Sequence, residues 1–80
     1  MAKETKEERY LIKHYELAKE KGDSSCEVSA TDVAQKINER EKTVKNILKN
    51  LQQANFIKRV EDNLFVLTSN GLNLVKNISQ

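Results

Sequence analysis

Lys42, Asn46, Lys49 and Gln53 recur at i, i+4, i+7 and i+11, the spacing that stacks side chains in one row along an α-helix. Lys45 and Asn50 flank the row, and no carboxylate stands within it. Long cations and side-chain amides are the groups that meet phosphate oxygens and the hydrogen-bonding edges of bases. The row is therefore a candidate polyanion contact, although a helix face rich in Lys and Asn also arises as a plain solvated surface. The charge around it favours the first reading. Between Lys36 and Arg59 seven basic residues stand against two acidic ones, Glu39 and Glu41, so this segment carries +5 within a chain of net +2, and the remainder carries −3. Such asymmetry is the footprint that a polyanion-binding face leaves.

Other chemistry finds little to work with. His14 is the only histidine and Cys26 the only cysteine, so neither an internal disulfide nor a zinc site of several Cys and His ligands can be assembled. There is no Gly-rich phosphate loop, and Glu7/Glu8 and Glu61/Asp62 are sequence neighbours of the kind that make ordinary surface charge. The expectation is a protein that is not an enzyme, with no metal, no cofactor and no inferred small-molecule ligand. Cys26 reads as a structural thiol, since no basic residue or second cysteine is near it in sequence.

The row must be held by a fold, and 80 residues suffice for one domain, 1–80, with a modest core. Hydrophobic residues make up 38% of the chain, enough for a folded and mostly helical unit. No apolar run approaches membrane-spanning length and MAKETKEERY lacks the apolar core of a signal peptide, so an intracellular, cytoplasmic location is expected. Residues 1–6 are polar and expected to fray. Glu7 to about Lys21 reads as a first helix with Leu11, Ile12, Tyr15 and Ala18 as its main stripe, stopped by Gly22. Ser24 to Val28 reads as a loop with a short extended piece. Ser29 or Thr31 then caps a second helix whose apolar residues are Ala30, Val33, Ala34 and Ile37.

Asn38 interrupts that helix, and Glu41 to Gln53 follows as the third, with Val44, Ile47, Leu48 and Leu51 turned to the core. From Phe56 the periodicity falls towards 2. Phe56 to Val60 and Leu64 to Leu67 read as two strands around Glu61, Asp62 and Asn63. Thr68 or Ser69 caps a last helix in which Gly71 is expected to cost little. Two faces carry more apolar surface than a small monomer exposes: Tyr10, His14 and Leu17 on the first helix, and Leu72, Leu74, Val75 and Ile78 on the last. They form a candidate dimer interface, against the alternative that Tyr10 and His14 border the core with their polar tips in water.

This order of elements resembles a winged helix-turn-helix domain. Val33-Ala34-Gln35-Lys36-Ile37-Asn38-Glu39-Arg40-Glu41-Lys42-Thr43-Val44, continuing through Ile47, Leu48 and Leu51 to Ala54-Asn55-Phe56-Ile57, matches the family pattern without a gap. Leu67-Thr68-Ser69-Asn70-Gly71 looks like the Leu-Thr-x-x-Gly that follows the wing in regulators of the MarR-like and ArsR-like kind. The resemblance implies a mainly α fold with a small β-hairpin: a three-helix core, a short two- or three-stranded wing and a C-terminal helix. It departs at Asn38, where the family has glycine, at Glu39, where it has an apolar residue, and at Arg40, where it has a capping Ser. Asn can adopt the left-handed backbone the turn needs, whereas Glu39 and Arg40 leave the third helix weakly capped.

The resemblance also implies that the third helix enters the major groove of double-stranded DNA. Carried over by position, it implicates Arg40, Lys42, Thr43, Lys45, Asn46 and Lys49. Asn46 suits an adenine edge, and Lys42, Lys45 and Lys49 suit phosphates. Ser29 and Thr31 offer hydroxyls and backbone N–H groups to a phosphate at the head of the second helix, and Lys58 and Arg59 offer cations from the wing. The expected function is a DNA-binding transcriptional regulator acting as a homodimer. The alternative is a winged helix that joins a larger assembly and meets an acidic protein; the basic third helix favours the first and the acidic wing tip the second.

Overall fold

The computed structural model describes residues 5–23 and 26–78. Helix α1 runs Lys6–Lys21 and opens on Thr5, which closes a capping box. The Glu8 amide donates to Thr5 Oγ1 (3.1 Å) and the Thr5 amide donates to Glu8 Oε1 (2.9 Å), satisfying two donors that a helix end leaves open. Of the stretch expected to fray, Thr5 is the N-cap and Lys6 the first residue of α1, while residues 1–4, like Ser24 and Ser25 of the expected loop, lie outside the described residues. Gly22 ends α1 at φ +133°, a backbone that side-chain-bearing residues rarely adopt.

Strand β1 (Val28–Ser29) leads directly into α2 (Ala30–Ile37), then come α3 (Glu41–Gln53), β2 (Ile57–Glu61), β3 (Leu64–Leu67) and α4 (Ser69–Ile78). The sheet is antiparallel with order β1-β3-β2, so β1 supplies a third strand and β2 is an open edge. Ser29 pairs with Leu64 and Val28 with Phe65 on one side, while Lys58 pairs with Val66 and Arg59 with Phe65 on the other. A register shift between Arg59 and Glu61 bends β2 at its tip. Glu61 belongs to the strand, which leaves Asp62 and Asn63 as the turn.

The core is built from Val33 and Ile37 of α2, Val44, Ile47 and Leu51 of α3, and Leu11 and Ala18 of α1, closed by Val28, Ile57 and Phe65 of the sheet. Because α1 packs against α2, α3, α4 and β1, both of its apolar faces are covered. The candidate dimer interface is corrected accordingly: Tyr10, His14 and Val75 are all 0% exposed and offer nothing to a second copy. Leu17, Leu72, Leu74 and Ile78 remain half-buried. Nor do the polar tips reach water, since the Tyr10 hydroxyl and both His14 ring nitrogens are buried without a hydrogen-bond partner among the described residues. Burial pushes the Tyr10 hydroxyl pKa up and, aided by the Lys21 charge, brings that of His14 down to about 4.

At the other end of the fold, Thr68 caps α4 by accepting from the Gly71 amide (3.1 Å), and its hydroxyl donates to the Asn55 carbonyl. The Thr68 amide donates to the Phe56 carbonyl at 3.1 Å, which draws the start of α4 onto the chain leaving α3. A Cβ on Gly71 would stand 1.9 Å from the Phe56 carbonyl oxygen. The expectation that this glycine costs little is thus incomplete: its place is set by a close backbone approach, which only a residue without a side chain permits.

Candidate nucleic-acid interface

The turn between α2 and α3 begins at Asn38, which takes the left-handed conformation at φ 58°, ψ 44°. In that geometry the Asn38 amide donates to the Gln35 carbonyl (3.3 Å) and the Glu39 amide to the Ala34 carbonyl (3.1 Å), satisfying the last carbonyls of α2. Arg40 stands at the N-cap of α3 with an extended backbone and no side-chain capping bond, and the acidic Glu41 in the first turn complements the helix dipole instead. Glu39 stands where the family has an apolar residue: its Oε2 is buried without a hydrogen bond among the described residues and lies 3.5 Å from the Lys6 ammonium of α1.

Val44, Ile47 and Leu51 anchor α3 in the core, so Lys42, Lys45, Asn46, Lys49 and Gln53 are all exposed. Thr43 is half-buried. Lys42, Asn46 and Lys49 make no hydrogen bond or ion pair among the described residues. Lys45 reaches to 4.0 Å from Glu41, an exposed pair that a phosphate can displace at small cost. Asn50 is not part of the row: its amide donates to Glu7 Oε2 of α1 at 3.1 Å. Sequence spacing could not separate Asn50 from Asn46, because the partner that holds it is on another helix.

Between α3, α2 and the wing lies an open groove of about 930 Å³. Ala34, Val44, Leu48 and Phe65 line its floor, and Lys45, Lys49 and Arg59 stand among Glu39, Glu41 and Asp62 around it. Cations and carboxylates are thus balanced in the groove, and the net positive side of α3 is its outward row. On the wing, Lys58 and Arg59 are exposed, but Arg59 is held by its own turn. Its Nη2 donates to Asp62 Oδ1 (3.1 Å) and its Nε to the Glu61 carbonyl (3.4 Å).

Ser29 occupies the N-cap of α2, yet its hydroxyl makes no capping bond, which corrects the expected role. Asn63, a residue that the sequence marked only as turn, takes both candidate hydroxyls. Its side-chain amide donates to Ser29 Oγ and to Thr31 Oγ1, each at 2.8 Å. An amide nitrogen has two protons and both are used here, so each hydroxyl accepts from Asn63 and keeps its own proton to donate elsewhere. Of the candidate residues, Thr31 of α2, Lys45 and Lys49 of α3 and Arg59 of β2 border the one groove, whereas Lys58 alternates with Arg59 along β2 and leaves the opposite face of the strand. Among the described residues no group of three or more His, Cys, Asp or Glu side chains is placed to hold a metal ion, and no helix is long and apolar enough to cross a membrane.

No protein-family model matches the chain. No curated protein sequence matches it either. Solved structures do. The chain is similar to MepR, a transcription regulator of the Staphylococcus aureus multidrug efflux pump MepA, with a TM-score of 0.72 and 24% identity over 94% of this chain and 55% of that one. It is similar to MepR in an S. aureus MepR–DNA complex, at TM-score 0.69 and 23% identity, covering 95% of this chain and 55% of that one. A MepR mutant bound to an oligodeoxyribonucleotide gives TM-score 0.71 and 23% identity, covering 94% of this chain and 55% of that one. The chain thus spans about half the length of the solved structures it matches. At this identity the likeness establishes architecture, and with four helices and a three-stranded antiparallel sheet in this order among the described residues the chain has the winged helix-turn-helix fold.

Proposed function

We propose that the chain is a DNA-binding transcriptional regulator that lays α3 in the major groove of double-stranded DNA. The observation that carries this reading is the exposed row on α3, whose Lys42, Asn46 and Lys49 have no protein partner among the described residues. Lysines on such a row suit phosphates, and an unpaired amide suits the N6 and N7 edge of adenine. Arg40, Thr43 and Lys45 extend the contact along α3, Ser29 and Thr31 serve a phosphate at the head of α2, and Lys58 and Arg59 reach the flanking backbone. That MepR has been solved bound to DNA supports the reading by likeness of fold. No catalytic step and no small-molecule ligand belong to it, and its place is the cell interior, where duplex DNA is found.

A single module of this size covers one half-site, so a homodimer on two-fold-related half-sites is part of the proposal. Leu17, Leu72, Leu74 and Ile78 are what remains of the apolar surface for it.

The test is the affinity of the protein for mixed-sequence duplex DNA across a salt series. Log affinity is expected to fall linearly and steeply with log salt. Lys42→Ala and Lys49→Ala should each weaken binding to every sequence and lower the slope by about one contact. Unchanged slopes would remove the phosphate roles. Asn46→Ala should lose about 1–3 kcal/mol on a preferred site and little on random duplex; a uniform loss would refute base readout. The balanced groove beside α3, with Glu39, Glu41 and Asp62 among its residues, favours a second reading, a winged helix that docks a protein. Flat, negligible DNA binding at low salt would select that reading.

A further inference from the structure

We propose that Asn63 is a positioning residue that latches the wing to the head of α2, so that Lys58 and Arg59 engage the same duplex as α3. The inference rests on the regulator reading and concerns how its two contact surfaces are held in one geometry.

The hairpin of β2 and β3 is joined to the helix-turn-helix through β1, a strand of two residues paired at Val28–Phe65 and Ser29–Leu64. So short a ladder is a weak hinge stop, and Asn63 extends it. Its carbonyl accepts from the Ala30 amide at 2.9 Å, one step beyond the last strand pair. Its side chain then forks across the first turn of α2 to Ser29 Oγ and Thr31 Oγ1. The adjacent turn residue, Asp62, holds Arg59 at 3.1 Å. One two-residue turn therefore grips a wing cation with one residue and, with the other, the helix that leads into α3.

Exposed hydrogen bonds of this kind add little to global stability, because water replaces them in the unfolded chain. Asn63 and the two side chains it binds are polar and lie outside the buried core. Their joint geometry is better explained by what it orients than by what it stabilises. The base of the hairpin is fixed in the core by Ile57 and Phe65, but without the fork its tip is tied to α2 only by the Ala30–Asn63 backbone bond, and its cations keep a less fixed distance from the row on α3. Binding that requires both surfaces at once then becomes binding through α3 alone, and the gain from linking two contacts is lost.

The experiment is a double-mutant cycle read as the salt slope of DNA affinity, with thermal melts alongside. Lys58→Ala/Arg59→Ala should lower the slope by about two contacts. Asn63→Ala should lower it by a similar amount and weaken binding roughly tenfold or more, with little change in the melt. Combined with Lys58→Ala/Arg59→Ala, it should add almost nothing, because the wing is already uncoupled. Ser29→Ala/Thr31→Ala cuts the same latch from the other end and also removes the two hydroxyls offered to a phosphate, so it should lose at least as much as Asn63→Ala; a smaller loss overturns the inference. A wild-type slope in Asn63→Ala overturns the inference while leaving the regulator reading intact. So does full additivity with the wing variant, which would mean that Asn63 touches DNA itself, and so does a wing variant without effect. Absence of DNA binding by the wild-type protein overturns the regulator reading and the inference together.

Discussion

Gly71→Ala is expected to cost about 3 kcal/mol and to lower the melting temperature by roughly 15 °C. The added methyl would stand 1.9 Å from the Phe56 carbonyl oxygen, 2.9 Å from its carbonyl carbon and 3.3 Å from Leu67 Cδ2. The first two are backbone atoms and cannot swing aside. That carbonyl also accepts the Thr68 amide, so it is pinned from the same side on which the methyl would press. Relief therefore requires α4 to lift from the chain that follows α3, which would expose Val75, now fully buried. Ser69→Ala, an exposed change in the same turn, is the control and should melt close to wild type. A loss below about 1 kcal/mol for Gly71→Ala would mean that α4 is not seated as described.

Acidification is expected to remove stability through His14. Its pKa in the folded protein is about 4, with burial as the main cause and the Lys21 charge as the second, against 6.5 for an imidazole in water. The folded protein thus holds this imidazole neutral while the unfolded chain takes up the proton. The contribution is complete above pH 6.5, falls as pH drops, and levels off below about 4. Integrated over that window it amounts to about 3 kcal/mol, a large share of what a domain of this size possesses. His14→Leu keeps the volume and removes the titration, so the stability curves of the two proteins should diverge between pH 6.5 and 4. Parallel curves in urea denaturation at pH 7 and pH 5 would show that the imidazole is hydrated in the folded state. The Tyr10 hydroxyl, its neighbour at a ring-centroid distance of 6.2 Å, cannot compensate the charge by ionising, since burial moves its pKa further up.

The elements of this fold were legible where periodicity and punctuation agree. The apolar spacing of Val44, Ile47 and Leu51 marked α3, and Asn38 marked the turn before it, because each signal acts within a few residues of its cause. What failed to be legible depends on partners far along the chain. Tyr10 and His14 share a helical face with Leu17 that reads as spare in sequence, whereas several elements pack around α1 and bury both. Gly71 looked like a tolerated glycine because the carbonyl that demands it belongs to Phe56.

The candidate interface divides in the same way. The row on α3 could be read from helical geometry alone, and the exposure of Lys42, Asn46 and Lys49 agrees with it. Asn63 had no signal beyond its turn propensity, since Ser29 and Thr31 lie 34 and 32 residues from it. Polar residues with two plausible tasks, capping or bridging, are resolved only when the competing partner is placed in space.

The open edge of β2 has a consequence of its own. A strand with an unpaired row of backbone donors and acceptors is a template on which another chain can grow a sheet, and Val60, the large apolar side chain exposed there, would favour it. Lys58, Arg59 and the irregularity before Glu61 are what discourage such growth, through like-charge repulsion and a bent backbone. The wing cations thus carry a duty of solubility alongside any contact with phosphate. Variants that neutralise them should show a greater tendency to aggregate, whether or not these side chains also meet a phosphate.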